Sequence, residues 1–380
     1  WYWEETATGH GWNQITNNTT DLFGALLPLG TGYASQFTDQ NYTLQFQGTL
    51  NTGSITHDLS RSAEQTFEGF NLVGNPYPSA VDWQNANWIK TSILNNSLWY
   101  RTGGNFATWN GNTQVGTNGG QQYIPAMQAF WVRVENSQTS GSIGFNNDIR
   151  THNTQAFYKE EKENTLRITA KAGDLTDEAV IAFIEKATPG FDKYDTEKMF
   201  AEDENYPQIF VKNANYQLAI NSLPVSSETL VPLSLIANNT GTMELSFSGI
   251  EKLVWGKVLL EDRHTGEFTD LRTNSSYEFF NNQQVSHDRF MLHFKSGPGT
   301  GTAERILQTT SVYAFNKDIY IEAGNENAHY EIYDLLGHQI TTGRLDAGEL
   351  KKISLNVAGG YYFVKIISQN NTFSEKIFIE

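Results

Sequence analysis

Apolar and polar residues alternate with a period of two along most of this chain, the pattern of strands with one face buried. Clear runs are Tyr42-Thr43-Leu44-Gln45-Phe46, Gln128–Val134, Leu166–Ala170, Ala179–Phe183 and Arg289–Phe294. Gly and Asn punctuate them. Leu50-Asn51-Thr52-Gly53-Ser54-Ile55 reads as a hairpin turn in which Gly53 is free to take a positive φ. Glu261–Gly266 reads as a turn ending in Gly between two further strands. Two helical pieces are expected. Ser79 is placed to cap a short helix, with Asp82 three positions on and Trp83 and Trp88 on its body. Asp195–Phe200 is the second, a single helical turn.

The pattern changes register with composition in three blocks. Residues 1–156 are rich in Trp, Gly and Asn, and eight of the nine Trp fall there. In 157–297 Glu and Lys rise and Trp falls to Trp255 alone. Residues 298–303 are a Gly-rich linker with little to bury. Residues 304–380 hold seven strand starts, near Val312, Ile319, His329, Gln339, Lys352, Tyr361 and Phe373. The expected fold is all-β: serial β-sandwich modules, the last a small immunoglobulin-like sandwich of seven strands.

Composition agrees and narrows the function classes. Aromatics at 13% with charged residues at 18% suit a packed sheet, not a disordered chain. The net charge of −16 divides as −5 over 1–150, −8 over 151–300 and −3 over 301–380. No block is basic, so nucleic acid and an anionic bilayer surface are disfavoured partners. There is no Cys, which removes disulfides, thiolate metal sites and a Cys nucleophile. No apolar run is long enough to span a membrane. Trp1-Tyr2-Trp3-Glu4-Glu5 lacks the basic flank and apolar stretch of a signal peptide and reads as the middle of a strand, so an upstream part is expected.

Three stretches of the last block resemble the C-terminal sorting domain of type IX secretion substrates, a route of the Bacteroidota. They are Val312–Ile321, Tyr330–Ile340 with its Tyr333-Asp334-Leu335-Leu336-Gly337, and Gly359–Ile366 followed by Lys376–Glu380. The Pro-Asn-Pro opening of many members is missing. The chain is similar instead to the type A-like subgroup that opens with a Tyr-x-Phe-x-Lys strand. The resemblance implies export across the outer membrane by the type IX translocon and sortase, then release or attachment to surface glycolipid. On the matched positions it implies a recognition surface that includes Gly337, Gly359, Gly360 and Lys365. Upstream, Gly69–Trp83 and Ser286–Phe294 resemble phrases of large Bacteroidota surface proteins, with no activity attached. In Asn75-Pro76-Tyr77-Pro78 the two prolines fix φ and hold their predecessors extended, so a rigid bend is expected there.

No catalytic motif emerges. The eight His are scattered, and His287 and His293, in one strand, stand about 20 Å apart, too far for one metal. There is no Gly-x-Ser-x-Gly elbow and no phosphate loop. No cofactor is expected. Calcium stays open, since Asp174–Glu178 and Glu202–Asn205 are acidic, but neither has the alternation of a calcium loop. Trp99, Tyr100, Trp109 and Tyr123 lie among Gly and Asn in loop-like segments, where aromatic faces can stack on sugar rings. The reading is a secreted or surface-displayed modular protein with an adhesive or glycan-binding role and no enzymatic activity of its own. The rivals are the non-catalytic end of a secreted hydrolase and a structural stalk.

Overall fold

The computed structural model describes residues 1–5, 11–15, 28–35, 48–62, 68–152, 162–226, 228–282, 286–296, 310–324, 326–369 and 372–379. The chain forms two compact units, Trp1–Gly297 and Pro298–Glu380. The expected strand at Tyr42–Phe46, the boundary at 156/157 and the Gly-rich tract 297–303 lie outside the described residues. Nearly all regular structure is β, as the period-two pattern predicts.

In the first unit a five-stranded sheet runs in the order Phe70–Gly74, Ala129–Arg133, Ser97–Thr102, Asn105–Asn110, Val115–Thr117. Both of its faces are buried. Val73, Leu98, Tyr100, Trp109, Phe130 and Val132 point into one core, with Tyr77, Trp83, Trp88 and Phe145 opposite them. Phe70, Leu72, Trp99, Phe106 and Trp131 point into another, which Met199 joins. Alternation therefore sends Trp99 and Tyr100 into different cores. Gly116 belongs to the last of these strands, and a Cβ there would sit 2.2 Å from the Gly120 carbonyl oxygen, so only glycine fits.

Strands from Thr165–Ala172 to Ser286–Ser296 form one long sheet among the described residues. It is antiparallel except where Leu175–Phe183 runs parallel to Tyr216–Leu223. It curls so that Leu166, Ile168, Leu245 and Phe247 share a core with Leu233, Leu260, Leu292 and Phe294. The Pro298–Glu380 unit holds the seven expected strands. Ser311–Phe315, Asp318–Glu322 and Leu350–Ser354 make one sheet. Gln339–Leu345, Ala328–Tyr333, Gly360–Ser368 and Thr372–Ile379 make the other. Ile319, Ile321, Ile332, Val364, Ile366 and Ile377 fill the space between them.

Both helical expectations are overturned. Ala80–Asp82 is a strand, and the Asp82 carboxylate accepts from the Gln84 N–H at 2.9 Å in a tight side-chain turn. Ser79 accepts from Arg150 Nε at 2.9 Å instead of capping a helix. An Asp that bonds to the backbone two residues on offers the chain an alternative to helix, and here that alternative wins. The rigid bend is as expected: the buried Asn75 amide donates to Ser79 O at 2.9 Å and Pro125 O at 2.8 Å, while Asn75 Oδ1 accepts from Tyr77 N. In the second segment Thr196–Glu197 is extended and pairs with Tyr216–Leu223.

That extended strap joins the two β-regions of the first unit. Trp99 Nε1 donates to Glu197 O at 3.0 Å, and Ser97 and Thr196 hydroxyls meet at 2.8 Å. The Asn110 amide donates to Asp195 O at 3.0 Å and Thr196 Oγ1 at 2.9 Å. Arg133 forms an ion pair with Glu197. Beside the strap, Asp177 is fully buried. Its carboxylate takes Lys198 Nζ at 2.6 Å on both oxygens, Asn105 Nδ2 at 2.9 Å, Asn118 Nδ2 at 2.8 Å and Ile209 N at 2.8 Å. Such full satisfaction is what makes a buried charge tolerable.

Two expectations follow. Asp177→Ala strands Lys198 and three N–H donors in a dry interface and should cost about 3–5 kcal/mol, whereas Lys198→Met, which leaves those three donors satisfied, should cost less. Urea unfolding of both variants measures the order. The second concerns Asp195, whose carboxyl is pushed up to about 7 by burial, against N–H donation from Ser222 and Asp192. The folded carboxyl holds its proton more tightly than the unfolded one. Its contribution is therefore fully present below about pH 4 and is lost as the pH rises through about 7. This group should make the protein roughly 2–3 kcal/mol less stable at pH 8 than at pH 5. Asp195→Asn should remove that increment, as read from the pH dependence of the urea midpoint.

Candidate functional site

The four aromatics expected to bind sugars are not gathered on a surface. Trp99 is 1% exposed and Trp109 2%, Tyr100 is also buried, and only Tyr123 is half-buried. Their segments look like loops because Gly and Asn flank them, yet Ser97–Thr102 and Asn105–Asn110 are neighbouring central strands. A domain poor in Leu and Ile packs its Trp and Tyr instead.

Aromatic surface is exposed elsewhere. Tyr2–Glu4 and Gly11–Asn13 form a hairpin-like pair in which Trp3 lies opposite Trp12. Trp3, Trp12 and Trp131 pack edge to face at 4.9–5.8 Å between centroids, and Trp3 Nε1 donates to Phe70 O at 2.8 Å. This cluster anchors one wall of an open cleft of about 680 Å³ lined by Trp1, Trp12, Ala34, Ser35, Arg101 and Glu202. Trp1 is 41% exposed. Arg101 Nη2 and Glu202 Oε2 pair at 2.8 Å with both side chains about half exposed. An exposed pair of this kind contributes about 0–1 kcal/mol, so its donors and acceptors can turn to a ligand at little cost. The period-two spacing of Trp1 and Trp3 was a sequence signal for this wall. The meeting of Arg101 with Glu202, 101 residues apart, left none.

Carboxylates of both acidic clusters weighed for calcium are engaged by protein groups. Asp177 serves Lys198, Glu178 pairs with Arg167 at 3.0 Å, Glu202 pairs with Arg101, and Asp203 accepts from Asn205. Among the described residues no three His, Asp or Glu side chains group as metal ligands. His293 is buried against Glu261 at 3.0 Å.

In the Pro298–Glu380 unit the strand register draws the matched positions together. Tyr333 pairs with Phe363, and Gly360 pairs with Ile379. The Asp334–His338 turn, Gly359 and Gly360 therefore occupy one end of the four-stranded sheet. Gly337 has φ +84°, a left-handed position that glycine takes without strain. Asp334 Oδ1 accepts from Leu336 N and His338 N, both at 2.8 Å, and His338 Nδ1 meets Asp334 Oδ2 at 2.9 Å. The bond from the His338 N–H holds the Asp334 carboxyl below the usual carboxylate range. Lys365 lies farther along, between inward-facing Val364 and Ile366, partly exposed and 3.8 Å from Glu331.

Comparison with known proteins matches residues 315–380 to the secretion system C-terminal sorting domain. The chain thus carries a type IX sorting signal and is exported to the cell surface or beyond. No helix among the described residues is long and apolar enough to cross a membrane. No curated protein matches the chain. A second family model covers residues 1–294, both β-regions of the first unit together, and on that match the chain belongs to the family described as domain of unknown function DUF8693.

Proposed function

We propose that this is a non-catalytic binding protein of the cell exterior, displayed or released by the type IX route, whose first unit engages glycan through the cleft of Trp1, Trp12, Arg101 and Glu202. The observation that supports the reading is the coincidence in that cleft of exposed indole surface with a solvent-facing guanidinium–carboxylate pair. Sugars offer an apolar ring face bounded by hydroxyls. Indole takes the face, and Arg and Glu take the hydroxyls with donors and acceptors of both kinds. Exported with its sorting unit, such a module supplies adhesion. Catalysis is no part of the proposal, and calcium is not required by it.

A glycan array probed with the whole chain tests the cleft. Trp1→Ala, Trp12→Ala and Arg101→Ala should each weaken the retained glycan about tenfold or more, equivalent to about 1.4 kcal/mol. Met127→Ser, at an exposed residue that does not line the cleft, should leave binding unchanged. Absence of any glycan signal at millimolar ligand would favour the stalk, and turnover of a bound glycan would favour an enzyme. For sorting, Lys365→Glu in the full chain should melt within a few degrees of the parent yet reach the medium or cell surface in reduced amount, because its side chain faces outward from a sheet whose core it does not enter. Normal export of this variant removes Lys365 from the recognition surface.

A further inference from the structure

Fourteen large apolar side chains are exposed among the described residues, and six of them, Leu335, Leu336, Ile340, Tyr361, Phe363 and Phe378, belong to the sorting unit. In the first unit the exposed ones are scattered along the sequence, which is ordinary for a protein surface. In the sorting unit they converge. Inward-facing Tyr362, Val364 and Ile366 fix the opposite parity as outward, so Tyr361, Phe363 and Lys365 share the outer face of the four-stranded sheet. Register adds their neighbours: Tyr361 is opposite Phe378, Phe363 is opposite Lys376, and Tyr333 flanks Phe363 from the other side. The rings of Tyr361 and Phe378 pack at 5.1 Å.

All of this lies at the end of the sheet that carries the Asp334–His338 turn. At the tip of that turn Leu335 is 61% exposed and Leu336 82%. Two leucines held out to water gain nothing for the fold. The turn beneath them is nonetheless fixed by two backbone bonds to Asp334 and by the left-handed Gly337. A preorganised apolar projection lowers the ordering cost of being bound. The charges on the face are Lys365, Lys376, Glu331 and, at its far end beside His329, Arg344. Glu331 already accepts from Tyr333 Oη at 2.8 Å and lies 3.8 Å from Lys365, while Lys376 Nζ lies 4.4 Å over the Tyr361 ring. The face is thus aromatic and net cationic in a chain of net charge −16.

We propose that this aromatic face and the Leu335–Leu336 tip form the docking surface of the folded sorting unit, and that its partner is a protein of the export machinery presenting an apolar cleft rimmed by carboxylates. The cleft takes the leucine tip and the rings, and the carboxylates meet Lys376 and Lys365. The proposal rests on the sorting assignment and names the surface that carries it. Contiguous exposed apolar area with a polar rim is the mark of such a surface.

The test uses the full chain in a host with the type IX route. Four variants are compared: L335S/L336S, Y361S/F363S/F378S, the exposed single-site K376E, and a control, I89S/F280S, that changes two exposed apolar residues of the first unit. A chain ending at residue 310 is run beside them. Export is measured in medium and surface fractions, and thermal melting is measured on each purified protein. The tip, face and K376E variants should melt near the parent and export at least tenfold less, while the control exports normally. Parent-level export of the tip and face variants, with the shortened chain retained, overturns the docking surface alone. Normal export of the shortened chain overturns the sorting assignment itself. If the triple variant does not fold, K376E and a photo-crosslinking aromatic at position 363 decide. An adduct with a protein component of the export machinery supports the proposal; an adduct with any other protein, with lipid only, or none, overturns it.

Discussion

The first unit depends on one buried carboxylate. Asp177 lies on Leu175–Phe183 in the long sheet, yet two of its partners, Asn105 and Asn118, come from the five-stranded sheet and its following turn. A third, Lys198, comes from the strap. Hydrophobic contact alone would let the two β-regions slide, because apolar surfaces attract without direction. A carboxylate with five short bonds from four residues has one geometry. Once it is set, the strap must be extended, Met199 must enter the core of Trp99 and Trp131, and Asn110 must face Asp195 and Thr196.

The same network marks where reading the sequence stopped short. Alternation exposed every described strand of the sorting unit, because each sends one face into the shared core and the other outward. It exposed Leu166–Ala170, Ala179–Phe183 and Arg289–Phe294 as well, in runs rich in the β-branched and aromatic residues that strands favour. It misjudged Ser79–Trp88, where Asp82 and Asn75 offered side-chain bonds that local helix rules do not weigh against tertiary partners. It misjudged Trp99, Tyr100 and Trp109 because a sheet buried on both faces leaves no parity for solvent, so flanking Gly and Asn looked like loop. Arg101 with Glu202, and Asn105 with Asp177, are products of topology. Neither residue of such a pair carries a mark of the other.

Motifs that resembled an address are, in physical terms, devices of shape. Gly337 and Asp334 fix a turn, and Gly360 starts a strand that closes against the chain's last one. A partner reading this unit reads a folded surface, so substitutions that preserve local charge but unfold the turn and those that spare the turn but alter its exposed side chains are separate kinds of lesion. The cleft of the first unit is a different sort of surface, open and mixed in polarity, suited to ligands that are themselves half apolar.

The reach of these contacts along the chain also has a consequence in time. Asn105 finds Asp177 across 72 residues and Trp99 finds Glu197 across 98, so the first unit cannot close its interface until long loops have been ordered. In the sorting unit three hairpins are joined by pairings of shorter reach, Asp318 with Ser354 across 36 residues and Ala328 with Ser368 across 40. Chains dominated by local pairings fold faster than those that wait on distant ones, by orders of magnitude at equal stability. Pairings of shorter reach carry a smaller loop-closure cost, so the sorting unit meets a lower entropic barrier in closing its sheets than the first unit does in closing its interface.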